Sequence, residues 1–181
     1  MLEGNEAPDD FFGNPLDEST DESRTRVYIQ NLNGLNLDRN GGKWPYICEV
    51  LSTIQADVAC FTELNTEVND FTIRQQMERT CRRHFQHNAF IMSTSKYKTP
   101  PHYKPGGTAI LAVNEITAKI KSHTRDRMGR WSSICFNTQP HHKLRIILAY
   151  QVCQNSSLGS NTAAAHQSVQ IIEDSLPGTT Q

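Results

Sequence analysis

The sequence predicts an α/β fold, and three observations carry that expectation. Two short apolar runs of strand length flank one stretch of helical periodicity. A second helical stretch follows. Beyond it come four extended segments and no further strong helix until the carboxyl end. Strand, helix and strand joined by short connections make a right-handed crossover with parallel strands, so both strands end on one edge of the sheet.

The elements follow in order. Arg26-Val27-Tyr28-Ile29-Gln30 is β-branched and aromatic, and it runs into Asn31-Leu32-Asn33-Gly34, a set of turn formers. Ile47, Val50, Leu51 and Ile54 then recur at i, i+3, i+4 and i+7, with Pro45 near the first turn, where its missing N–H costs nothing. Asp57-Val58-Ala59-Cys60-Phe61 is a continuous apolar run, as expected of a strand covered on both faces. Ile73, Met77, Cys81 and Phe85 predict the second helix, whose other faces carry Arg74, Arg79, Arg82 and Arg83 as a solvated surface. The extended candidates are Ala89 to Met92, Thr108 to Val113, Trp131 to Phe136 and Leu144 to Val152. A short final helix is expected from His166 to Glu173.

Charge divides the chain into two parts. Residues 1–23 hold eight acids and no Lys or Arg, the composition of a disordered tail, so folding is expected to begin near Arg24. Residues 24–181 then hold all 18 Lys and Arg against 11 of the 19 acids, a balance of +7. A positive body suits a polyanion such as nucleic acid. No apolar run approaches the roughly 18 residues that cross a bilayer, and the amino terminus is acidic where a secretory signal is basic. An intracellular protein, nuclear or cytoplasmic, with no membrane partner is expected. The five cysteines, Cys48, Cys60, Cys81, Cys135 and Cys153, are odd in number and widely spaced. They read as reduced core residues and support neither a disulfide framework nor a zinc site.

Four segments occur in order at regular spacing: Ile29-Gln30-Asn31-Leu32-Asn33-Gly34-Leu35, Asp57-Val58-Ala59-Cys60-Phe61-Thr62-Glu63-Leu64-Asn65, Gly106-Gly107-Thr108-Ala109-Ile110 and Ile147-Leu148-Ala149-Tyr150. Together they resemble the amino-terminal part of the endonuclease/exonuclease/phosphatase superfamily, with the retrotransposon-type endonuclease domains the most similar in character. The resemblance implies a four-layer helix/sheet/sheet/helix sandwich of mixed sheets, incomplete at the carboxyl end, with residues 24–181 forming a partial domain. It implies that Glu63 binds Mg²⁺ or Mn²⁺, that Asn31 lies in the metal and phosphate site, and that Tyr150 contacts the scissile phosphate. Such a cation takes hard oxygen ligands, often one or two carboxylates with water and phosphate completing the set.

The same resemblance exposes a gap. The family positions its nucleophile with an Asp-x-Asn pair and a late Ser-Asp-His run, and neither stands in its place in this chain. Asp38-Arg39-Asn40 has the letters but falls in the loop after the first strand. His141-His142 lacks a third ligand at metal spacing and reads as a solvated turn. Tyr103-Lys104-Pro105-Gly106-Gly107 reads as a turn entering a strand, and Trp131 as a core residue, although each offers a contact to a phosphate or a base.

Three functional readings result. The first is a Mg²⁺-dependent phosphodiester hydrolase of endonuclease type, acting on nucleic acid and needing a further carboxyl-terminal half for activity. The second is a nucleic-acid-binding or interaction scaffold without catalysis. The third keeps the chemistry and changes the substrate to an inositol phosphate or other small phosphate ester. A domain of this kind runs to roughly 200 to 250 residues. A chain ending at Gln181 is therefore expected to be marginally stable and prone to aggregate.

Overall fold

The structure is a computed structural model and describes residues 24–35, 37, 42–95, 106–139 and 142–150. The acidic segment 1–23, Asp38-Arg39-Asn40, Tyr103 to Pro105, His141, Cys153 and the final helix expected at 166–173 lie outside the described residues.

Strand β1 (Val27–Asn31) leads to helix α1 (Lys43–Thr53) and strand β2 (Val58–Thr62). β1 and β2 pair in parallel with Asn31 opposite Thr62, the crossover that the sequence predicts. Helix α2 (Phe71–His84) follows, then β3 (Asn88–Ser93) and β4 (Thr108–Val113). β4 inserts antiparallel between β2 and β3, so the first sheet is mixed and ordered β1-β2-β4-β3. Every residue of β4 is buried, which explains why it reads as unbroken apolar sequence.

A short 3-10 helix (Asn114–Lys119) carries the chain to a second sheet, an antiparallel meander of β5 (Ile120–Arg125), β6 (Trp131–Gln139) and β7 (His142–Ala149). The sheets meet face to face. Val58, Cys60, Ile91, Ile110 and Ala112 from the first pack against Ile134, Phe136 and Leu148 from the second. The opposite face of the first sheet is covered by both helices through Trp44, Ile47, Leu51, Met77 and Cys81, with Phe61 and Leu111 beneath them. The described residues thus build three of the expected layers: helices, a mixed sheet and an antiparallel sheet.

Local chemistry sets the helix positions. Asp70 caps α2, its Oδ1 accepting from the backbone N–H of Thr72 at 2.7 Å and of Ile73 at 3.3 Å. Arg82 and Arg83 occupy its last turn, where positive charge complements the negative end of the helix dipole. Trp44 locks the two helices together by donating its indole N–H to the Met77 carbonyl at 3.1 Å. Cys48 and Cys81 face each other across the same contact, sulfur to sulfur 3.7 Å, as free thiols. Cys60 and Cys135 are also free and buried, in agreement with the reduced-core reading of the described cysteines. No helix among the described residues is long and apolar enough to cross a membrane.

Candidate functional site

The carboxyl ends of β1, β2 and β7 lie on one edge of the two-sheet stack, and the sequence-predicted residues lie there. Asn31 is the last residue of β1. Glu63 follows the last residue of β2. The ladder continues past both strands: Leu32 N–H donates to Thr62 O at 3.0 Å, Gly34 N–H to Glu63 O at 2.8 Å and Leu35 N–H to Leu64 O at 2.7 Å. The two turns that carry Asn31 and Glu63 are therefore zipped to one another. Lys43, at the start of α1, adds two bonds from Nζ to the carbonyls of Leu32 (3.0 Å) and Gly34 (3.1 Å).

Backbone strain is concentrated at this junction. Asn33, Glu63 and Asn65 adopt φ of +45°, +53° and +48°, and Gly34 adopts +91°. A left-handed glutamate costs on the order of 1 kcal/mol or more and persists only where surrounding structure imposes it. Here the Gly34–Glu63 hydrogen bond and the buried Leu64 side chain impose it. The Asn31 side chain is itself placed, its Oδ1 accepting from Asn33 N–H at 2.9 Å. An amide oxygen has two lone pairs, so one remains for a cation or a water.

Asn65 is a member of this site that the sequence reading left without a role. Its N–H donates to Gly106 O at 2.9 Å and its Oδ1 accepts from Gly106 N–H at 2.8 Å, tying the end of β2 to the segment that enters β4. Gly106 in turn lies against Tyr150, where an added Cβ would come within 3.2 Å of the ring. Gly106 and Gly107 have φ of +81° and +95°, so the glycine pair is a left-handed turn into a strand. Tyr150 stands one residue beyond β7, half-buried, its N–H donating to Arg130 O at 2.7 Å. Asn65 and Gly106 thus bridge the Glu63 turn to Tyr150. The bridge spans 41 residues, and the side chain carries no sequence signal beyond its place in the Thr62-Glu63-Leu64-Asn65 run.

The donor set on this edge is one carboxylate, Glu63, and one amide oxygen, Asn31. That set fits a hard divalent cation that completes its shell with water and phosphate oxygens. Among the described residues no group of three or more His, Cys, Asp or Glu able to hold a metal ion is present. His142 is the exposed first residue of β7, at the opposite end of that strand from Tyr150. Trp131, expected in the core, is half-buried at the start of β6.

Solved structures share this fold. An endonuclease/exonuclease/phosphatase family protein from Leptotrichia buccalis C-1013-b superposes with a TM-score of 0.57 at 14% identity, over 87% of this chain and 63% of that one. A 3'-5' exonuclease from Neisseria meningitidis superposes with a TM-score of 0.50 at 15% identity, over 82% of this chain and 50% of that one. The chain therefore has the endonuclease/exonuclease/phosphatase fold and spans 63% and 50% of the length of these two structures. No family model matches the sequence. No curated protein matches it either.

Proposed function

We propose that this chain carries the metal- and phosphate-holding half of a Mg²⁺-dependent phosphodiester hydrolase of endonuclease type, acting on nucleic acid. The observation that carries the reading is the zipped pair of turns, which brings Asn31 and a strained Glu63 to one edge of an endonuclease/exonuclease/phosphatase fold. Glu63 and Asn31 would hold Mg²⁺ or Mn²⁺. The bound cation supplies stabilisation of charge on the phosphorus oxygens and the leaving group. Tyr150 can donate its hydroxyl to a phosphate oxygen as charge accumulates there. Asn65 and Lys43 hold the two turns and so position the ligands.

A second reading, a nucleic-acid-binding scaffold without cleavage, is favoured by the charge of the second sheet. Residues 119–150 hold seven Lys and Arg against one acid, Asp126. Such a surface attracts polyanions whether or not a bond is cut.

Mg²⁺ titration beside plasmid binding separates the readings. Under the hydrolase reading Mg²⁺ raises the melting temperature of the chain, as a ligand of the folded state does, and Glu63→Ala removes that rise. Salt-sensitive plasmid binding with a melting temperature indifferent to Mg²⁺ supports the scaffold instead.

A further inference from the structure

The hairpin turn between β5 and β6 sits on the same edge as Glu63 and presents an unusual tip. Arg127, Met128, Gly129 and Arg130 make the connection, with Arg127 and Met128 exposed, Arg130 half-buried and Gly129 buried. Met128 leaves 37% of its surface in solvent between two arginines, in a position where a turn ordinarily carries a small polar residue.

The base of this turn is held from several directions. Asp126 N–H donates to Trp131 O at 3.0 Å, and Arg130 N–H donates to Asp126 Oδ2 at 3.1 Å. The Ser93 hydroxyl donates to the Asp126 carbonyl, tying the turn to the end of β3. Gly129 has φ of +75°, and a Cβ there would stand 2.7 Å from Ser95 N and Thr94 Cα. Only glycine lets the hairpin lie this close on the first sheet. A side chain carried on a base so fixed loses little further freedom when it meets a partner.

Charge indicates what that partner is. The single acid of residues 119–150, Asp126, is already engaged by the Arg130 backbone, and Arg127 makes no ion pair with any described residue. The turn also adjoins the phosphate edge directly, through the Tyr150–Arg130 hydrogen bond.

We infer that the Arg127–Arg130 turn is a nucleic-acid contact at the rim of the Glu63 edge, with Arg127 meeting a backbone phosphate and Met128 meeting a base. This rests on the nucleic-acid reading above and assigns it two residues. The guanidinium matches phosphate geometry with paired N–H donors. The methionine is apolar, unbranched and adaptable, the kind of side chain that packs on or wedges between bases without reading sequence.

The test uses the full chain, a fluorescein-labelled mixed-sequence duplex and EDTA, so that cleavage plays no part, with anisotropy read across a salt series. Arg127→Gln is expected to weaken binding several-fold and to lower the slope of log affinity against log salt by about 0.9, one phosphate contact. Met128→Ser is expected to weaken binding several-fold with the slope unchanged. Arg79→Gln, on the exposed face of α2 across the first sheet from the turn, is expected to bind as the parent does. Equal weakening by Arg79→Gln and Arg127→Gln would mean diffuse attraction and overturn the assignment. Parent-like binding by both turn variants overturns it too and leaves the nucleic-acid reading standing. A parent chain that does not bind removes both.

Discussion

Cys60 lies between the two sheets, and burial pushes its thiol up to about 11 from an ordinary 9.0, because ionisation there would strand a thiolate among apolar side chains. The Cys81 thiol is raised as well, first by its hydrogen bond with Cys48 and then by burial. A folded pKa above the unfolded one contributes stability that is complete below the unfolded value and lost as pH rises through the folded one. Melting followed by circular dichroism is therefore expected to show stability declining between pH 9 and 11, by about 2 kcal/mol from Cys60 alone. Cys60→Ala makes that decline shallower; an unchanged slope would exclude Cys60 as its source. At this scale the place of Glu63 just past β2 was legible because it follows a buried run, and that of Asn31 at the end of β1 because turn formers follow it. Asn65 was not, since its role is a hydrogen-bonded bridge to Gly106, a partner that sequence spacing does not reveal.

Helix α2 illustrates how little of an element's hold need come from its buried stripe. Only Met77 and Cys81 are fully buried along its 14 residues, while its amino end depends on the Asp70 carboxylate. Asp70→Ala is expected to cost about 1 kcal/mol, seen in urea unfolding as a lower midpoint with an unchanged m-value. A midpoint equal to the parent's would mean that solvent satisfies those amides equally well. The helices, β2 and β4 were legible to within a few residues because their apolar residues recur at helical spacing or run unbroken, whereas β1, with four of its five residues exposed, was legible from its β-branched and aromatic residues alone. β5 escaped because all its residues after the half-buried Ile120 are exposed, so no alternation marks it as a strand. The 3-10 helix escaped for a similar reason, burying Ile116 alone. β7 begins two residues earlier than the apolar run, at His142, because backbone pairing with β6 extends beyond the apolar side chains.

Across the whole molecule, the second sheet lies over β3, β4 and β2 of the first and leaves the edge strand β1 exposed. Val27 and Ile29, opposite the buried Val58 and Cys60, are 43% and 70% exposed. Among the described strands β1 pairs only with β2, and an apolar edge of this kind is a template for pairing with another chain. Ile29→Lys is expected to reduce concentration-dependent light scattering while leaving the far-ultraviolet spectrum intact. Scattering equal to the parent's would place the sticky surface elsewhere. The two cores are also chemically distinct: helices over one face of the first sheet, a second sheet under the other.

That division has an optical consequence. The chain holds two tryptophans, and they fall on opposite sides of the first sheet. Trp44 is sealed in the helix-side core, edge-on to Phe61 with ring centroids 5.8 Å apart, while Trp131 is half in solvent on the second sheet. Excited together, the sealed indole emits toward the blue and the wet one toward the red. The spectrum of the unmodified protein thus resolves into two components, one for each layer, and their order of disappearance in denaturant tells which sheet's packing gives way first.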